Sequence, residues 1–171
     1  MKPLSEYRQP AAAAEVARLD VPVLVVGMRG GVRAPAADYR TSTHEGTPTF
    51  PTVNEALLDR GVYLAPLAKS DRNPYQNFVF VGRASTCDVI LRDASVSKTH
   101  AVFERDAQQP VWKIRDNRSH NGTWVNRARL QPEARIPVAS GDSIVFGAYP
   151  AYLLLPDELR RILATMAPTH G

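Results

Sequence analysis

The feature that most constrains the fold is a series of short apolar runs, each bordered by a cluster of polar residues. These runs include residues 78–81, 89–91 and 111–114. Short runs rich in β-branched and aromatic residues are typical of strands, and the Asp, Asn, Gly and Ser residues between them are typical of turns. We therefore expect a β-scaffold that presents the polar clusters in its loops, where binding residues concentrate.

The polar clusters are rich in hydrogen-bond donors. They are Gly82-Arg83, then Ser97-Lys98-Thr99-His100, then Ser119-His120-Asn121-Gly122-Thr123, with Asn126 just behind. A guanidinium, a hydroxyl, an ammonium and an amide all donate, and no carboxylate stands in these clusters to act as a general base. Donors of this kind suit a phosphate, which Arg83 can contact with two parallel hydrogen bonds. The sequence therefore predicts a phosphate-binding site, no catalytic residue and no enzymatic activity.

The order of these clusters resembles the signature of the forkhead-associated (FHA) domain, which reads phosphorylated motifs. That signature is Gly-Arg, then Ser-x-x-His, then Asn-Gly-Thr and a Val-Asn pair. The matching residues here are Gly82-Arg83, Ser97-Lys98-Thr99-His100, Asn121-Gly122-Thr123, Val125-Asn126 and, at the end, Gly141-Asp142-Ser143-Ile144-Val145-Phe146-Gly147. The resemblance covers residues 62–155. It implies an all-β sandwich of two antiparallel sheets that binds a peptide at its loop tips.

The resemblance also implies a role for each matching residue. Arg83 and Ser97 hold the phosphate oxygens with help from Lys98, and Asn121 holds the peptide backbone near the phosphothreonine. His120 occupies a position where the family often has a small hydroxyl residue that touches the ligand, and we include it in the phosphopeptide-binding set. The remaining matches are structural supports: Gly82, His100, Gly122, Thr123 and Asn126.

Three parts are expected along the chain. They are an N-terminal extension at 1–61, partly ordered and regulatory, the FHA-like domain at 62–155, and a C-terminal helix with its tail at 156–171. Within the extension, residues 21–26 form an apolar run that predicts a strand, and Pro22 favours an edge position.

The C-terminal helix is predicted from an apolar stripe after an acidic first turn. The stripe consists of Leu159, Ile162, Leu163 and Met166. We expect this stripe to pack on the sandwich, because a short amphipathic helix is marginal by itself.

The distribution of charge indicates which kinds of partner to expect. Residues 62–156 hold twelve Lys or Arg against eight Asp or Glu, which is the whole surplus of four positive charges. This surplus favours an acidic partner but is too small and scattered to predict nucleic acid binding. No apolar run is long enough to span a membrane.

A single cysteine, Cys87, excludes an intrachain disulfide and favours the cytoplasm; we interpret it as a small core residue. No cofactor or metal ligand set is predicted.

These observations predict a phosphothreonine-dependent protein–protein interaction module. It would act as an adaptor or regulator downstream of a Ser/Thr protein kinase, with that kinase or its phosphorylated substrates as partners. A further hypothesis is self-inhibition, in which phosphorylated Thr41, Thr43, Thr47 or Thr49 docks into the chain's own site. The alternative is a structural scaffold that keeps the FHA fold and docks an unphosphorylated partner.

Overall fold

The structure, a computed structural model, describes residues 2–3, 18, 20–27, 62–105, 108 and 111–166. Twelve strands and one helix lie in these residues. They are β1 Lys2–Pro3, β2 Val23–Gly27, β3 Val62–Pro66, β4 Phe78–Gly82, β5 Val89–Ile90, β6 Ala101–Arg105, β7 Trp112–Asp116, β8 Thr123–Val125, β9 Ala128–Arg129, β10 Ile136–Val138, β11 Ser143–Phe146, β12 Tyr149–Leu154 and α1 Pro156–Met166.

The strands form two sheets that pack face to face. One has the order β1-β3-β2-β12-β11-β8-β9, and the other has the order β10-β7-β6-β4-β5. Every pair is antiparallel except β4 with β5, which pair in parallel through Val81 with Val89 and Gly82 with Ile90. The all-β sandwich predicted from the sequence is confirmed.

The core lies between the inner faces of the two sheets. Phe103 of β6 and Phe146 of β11 are fully buried, as are Ile114 of β7 and Leu153 of β12. Burying a large apolar side chain stabilises a fold by roughly 1.5–3 kcal/mol. A rigid interior of this kind holds the strand ends, and therefore the loops that follow them, at fixed separations.

Strand β2 is confirmed, but its predicted edge position is wrong. It lies inside the seven-stranded sheet, between β3 and β12. Pro22 does not interfere, because it precedes the paired residues and its carbonyl accepts a hydrogen bond from the Leu67 amide at 2.8 Å. Strands β1 and β2 thus bring residues of the N-terminal segment 1–61 into the seven-stranded sheet.

Helix α1 follows β12 directly and is confirmed. Pro156 occupies its first position, where a missing N–H is tolerated, and Asp157 and Glu158 place negative charge in its first turn. Leu159 is 1% exposed, so the apolar stripe begins in contact with the rest of the fold. Of the helices in the described ranges, none has the length and apolar character that crossing a membrane requires.

Candidate functional site

The first element of the site is the end of β4, where the chain runs tightly against the loop between β5 and β6. The Arg83 amide donates to the Ser97 carbonyl at 3.0 Å, and the Ala84 amide donates to the Lys98 carbonyl at 3.1 Å. A Cβ atom on Gly82 would stand 2.3 Å from the Lys98 carbonyl oxygen. Glycine is therefore required at this position so that the Arg83 and Ser97 loops can meet.

His100 is fully buried and joins two of the polar clusters. Its Nδ1 accepts a hydrogen bond from the Ser97 amide at 3.0 Å, so its Nε2 carries the proton and donates to the Gly122 carbonyl at 3.0 Å. Burial lowers the pKa of His100 below its ordinary value, although the Gly122 hydrogen bond and the charge of Asp116 oppose this shift. The neutral imidazole therefore fixes the Ser97 loop against the Gly122 loop.

A second buried hub, Asp116 at the end of β7, was not singled out from the sequence. Its Oδ1 accepts hydrogen bonds from the hydroxyls of Ser119 and Thr123, both at 2.6 Å, and its Oδ2 accepts the Ser119 amide at 3.0 Å. Burial raises the pKa of Asp116, but these hydrogen bonds lower it by more, so the net shift is downward. The ionised carboxylate holds the β7–β8 loop in place. An Asp followed three residues later by Ser is the signal that would have revealed this turn.

The Ser97 hydroxyl is oriented by the β7–β8 loop. Its Oγ accepts a hydrogen bond from the His120 amide at 3.0 Å. A serine hydroxyl has one proton to donate, and this arrangement leaves that proton available for a ligand. Ser97 is thus held as a donor between two loops.

Asn121 lies on the same loop, next to a glycine that turns the chain. Gly122 has a φ of +83°, and its amide donates to the Ser119 hydroxyl at 3.0 Å. The Asn121 side chain is exposed, and its Nδ2 donates to the Ser95 carbonyl at 2.8 Å. The amide oxygen and the second N–H of this side chain remain available for a peptide main chain.

Comparison with known proteins identifies the domain that carries this arrangement. Residues 79–147 match the family model described as FHA domain. This chain contains an FHA domain. The FHA family is known for phosphothreonine-dependent interactions in kinase signalling, and FHA domains are interaction modules and not enzymes.

Relatives of this FHA domain occur in much longer proteins. One is the FHA domain-containing protein PS1 of Arabidopsis thaliana, 30% identical over 77 residues, which are 45% of this chain and 5% of that protein. Another is kanadaptin of Homo sapiens, 30% identical over 105 residues, which are 55% of this chain and 14% of that protein. The chain spans less than a fifth of the length of these curated relatives.

A solved structure is also similar. It is the N-terminal FHA domain of Rad53p from S. cerevisiae in complex with a phosphothreonine peptide, which is 21% identical with a TM-score of 0.42. The similarity covers 50% of this chain and 73% of that chain.

The FHA domain presents its predicted ligand-binding side chains outward. Arg83, Lys98, His120 and Asn121 are exposed, and Ser97 is half-buried between them. Among the described residues, no acidic side chain forms an ion pair with Arg83 or Lys98. These two positive charges are therefore available to an anion.

Two further residues of the FHA domain have roles that the structure clarifies. Asn126 lies at the other end of β8 from the site, where its Nδ2 donates to Asp142 Oδ1 at 2.7 Å and its Oδ1 accepts the Ser143 amide at 3.0 Å. These hydrogen bonds hold the turn that follows β8. Cys87 is 1% exposed and burial raises the pKa of its thiol, which confirms it as a core residue.

Proposed function

We propose that this chain is a non-enzymatic adaptor that binds phosphothreonine-containing proteins downstream of a Ser/Thr protein kinase in the cytoplasm. The observation that carries the proposal is the Ser97 hydroxyl, which the His120 amide holds at 3.0 Å with its proton free to donate. Arg83 and Lys98 supply positive charge: the Arg83 amide donates to the Ser97 carbonyl, and the Lys98 carbonyl accepts from the Ala84 amide, so both residues are held where the two loops meet. The arrangement matches what a dianionic phosphate requires.

The binding role of each side chain follows from its chemistry. The planar Arg83 guanidinium contacts two phosphate oxygens, and the Ser97 hydroxyl and Lys98 ammonium contact the phosphate from the other loop. Asn121 pairs with the peptide main chain through its free amide oxygen and N–H. His120 places an imidazole at the rim of the site and contacts the residue that flanks the phosphothreonine.

Magnitudes predict a moderate and reversible interaction. A phosphothreonine carries about −1.5 to −2 charges at neutral pH, and each charged hydrogen bond contributes roughly 1.5–3 kcal/mol. Three such bonds give roughly 5–9 kcal/mol, from which the loss of peptide freedom removes several kcal/mol. Contacts to the main chain and to flanking residues must therefore supply the remaining affinity.

Binding to a degenerate phosphothreonine peptide library tests this function. Phosphoserine and unphosphorylated libraries serve as parallel arms, with Arg83→Ala as the binding variant. Arg161→Ala is the matched control, because it removes the same charge from an exposed side chain whose ion pair, with Glu158 at 3.1 Å, lies within α1. We expect the native and Arg161→Ala proteins to retain phosphothreonine peptides and Arg83→Ala to lose them. Equal retention in every arm would favour the phosphate-independent scaffold.

Self-inhibition is a second part of the proposal. Thr41, Thr43, Thr47 and Thr49 lie outside the described residues, and the support for their docking is the phosphate-binding chemistry of the Arg83 and Ser97 site. Phosphorylation of the purified chain by a Ser/Thr kinase should weaken its binding to an external phosphothreonine peptide. Replacing all four threonines by Val should remove that effect. Unchanged binding after phosphorylation would show that the chain does not occupy its own site.

A further inference from the structure

The orientation of the Asn121 amide depends on a main-chain carbonyl in another loop. Its Nδ2 donates to the Ser95 carbonyl, which lies in the loop between β5 and β6, at 2.8 Å. An exposed asparagine side chain has rotamer freedom that a ligand must otherwise remove. The Ser95 carbonyl removes part of this freedom before any peptide arrives.

The Ser95 carbonyl is itself held from a third loop. Gly147, in the turn between β11 and β12, has a φ of +64°, and a Cβ atom there would stand 2.3 Å from the Ser95 carbonyl oxygen and 2.9 Å from its carbon. A contact of this kind is too close for any side chain, and the obstructing atoms belong to the backbone. Gly147 therefore permits an approach that no other residue allows.

Ser95 makes further hydrogen bonds where these loops meet. Its main-chain amide and its side-chain hydroxyl both donate to Asp93 Oδ1, at 2.8 Å and 2.6 Å, and its Oγ accepts a hydrogen bond from the Ala148 amide at 3.0 Å. The Gly147 amide in turn donates to the Gly122 carbonyl at 2.9 Å, beside Asn121. Three loops thus meet at one carbonyl oxygen, the acceptor for Asn121.

We propose that Ser95 and Gly147 are positioning residues that fix the Asn121 amide for the peptide main chain. The inference rests on the proposed function, because it concerns the same site. Neither residue needs to touch the ligand. Their effect is that the free oxygen and the free N–H of Asn121 point outward together and match one main-chain N–H and one C=O of an extended peptide.

The experiment compares alanine substitutions at two glycines that differ in what an added Cβ atom would contact. Gly147 and Gly141 both have positive φ, at +64° and +91°, but a Cβ on Gly141 would meet nothing within 4 Å. Gly141→Ala therefore also places an alanine at positive φ, but without the collision. The probe is a phosphothreonine heptapeptide chosen from the library peptides that the native protein retains, titrated into the full chain, with NMR of the Asn121 side-chain amide in the unliganded protein.

We expect Gly147→Ala to bind the heptapeptide about tenfold more weakly than Gly141→Ala does, as the loss of a pair of hydrogen bonds implies. The Asn121 side-chain amide signals should shift in Gly147→Ala alone. Equal affinities with unshifted signals would overturn the positioning role. Failure of the native protein to retain any peptide of the phosphothreonine library, in contrast, would overturn the proposed function itself.

A double-mutant cycle separates positioning from a general effect on the fold. In an Asn121→Ala background, Gly147→Ala should have little further effect on affinity, since both act through the same amide. An undiminished loss in that background would show that Gly147 acts by another route. If Gly147→Ala does not fold, Ser95→Ala replaces it: we expect weaker peptide binding, restored in Ser95→Thr, which keeps the hydroxyl. Equal binding by Ser95→Ala and the native protein would contradict the proposal.

Discussion

The two ends of strand β8 are held in different ways. At the end that carries the candidate site, the supporting side chains are buried: His100 and Thr123 are fully inaccessible and Asp116 is 2% exposed. At the other end, Asn126 and Asp142 fasten a two-residue turn through hydrogen bonds that lie at the surface. Both ends are built from polar side chains bonded to the main chain.

The two ends differ in whether water can replace a hydrogen bond that is lost. When a surface hydrogen bond is lost, water satisfies the freed groups, whereas a freed group in the interior stays unpaired at a cost of about 1–3 kcal/mol. The site loops are therefore rigid because their supports are buried. Side chains on these loops that are proposed to bind ligand, such as Arg83, can be exposed and poorly paired without loss of stability.

The largest expected effect contrasts two carboxylates. Asp116→Asn replaces one carboxylate oxygen by an NH2 group, so either the Ser119 amide or the Ser119 and Thr123 hydroxyls lose their acceptor. We therefore expect the free energy of unfolding to fall by about 2–3 kcal/mol. Asp142→Asn is the matched change at the exposed end, where we expect about 1 kcal/mol or less. Urea unfolding followed by tryptophan fluorescence measures both. Equal losses would remove the distinction between the two ends.

An effect of intermediate size is expected in the pH dependence of the free energy of unfolding, through the titration of His100. An unfolded histidine takes up a proton near pH 6.5, but burial lowers the pKa of His100, so below pH 6.5 the unfolded chain binds more protons than the folded one. The stability is fully present above pH 6.5 and declines as the pH falls towards the folded pKa. Asp116 and Asp88 also have lowered pKa values, and their contributions decline only below about pH 4.

Urea unfolding at pH 7.5 and pH 5.5 checks this expectation. The native protein should lose stability between these two values, and His100→Gln, although less stable at both, should lose less. A decrease of the same size in both proteins would mean that His100 does not titrate as its buried position implies.

The smallest effect is expected at the exposed turn. Asn126 and Arg127 both have positive φ, at 47° and 71°, which is the type I′ geometry that favours Asn-Gly. Arg127→Gly removes left-handed strain of about 1–2 kcal/mol but adds roughly 0.5–1 kcal/mol of chain entropy, for a net gain of about 0.5 kcal/mol. Arg92→Gly, at an exposed position whose φ is not positive, should give no gain. A loss of stability in Arg127→Gly would contradict this assignment of strain.

The sequence predicted the sandwich because strand and turn signals alternate along residues 78–155. It also identified the candidate donors, since Arg83, Ser97 and Asn121 occur in a fixed order of motifs. The buried support was harder to see. Asp116 is followed three residues later by Ser119, which signals a turn, but that spacing does not show that the carboxylate is buried.

Tertiary contacts account for the other differences. The position of β2 within its sheet depends on pairing with β12, more than a hundred residues away, and Pro22 gave no information on that pairing. Likewise, the need for glycine at Gly147 arises from the Ser95 carbonyl, which only the folded chain brings near. Residues that belong to an ordered motif, including the supports Gly82 and His100, were predictable, whereas pairing between distant segments outside the motifs was not.

The most direct test of the central claim is titration of the library-derived phosphothreonine heptapeptide into native and Arg83→Ala protein, with unfolding measured on the same samples. Because Arg83 is exposed and its loss leaves no buried group unpaired, the free energy of unfolding should change by no more than about 0.5 kcal/mol. Binding should weaken at least about thirtyfold. Equal affinity of the two proteins for the heptapeptide would contradict the account.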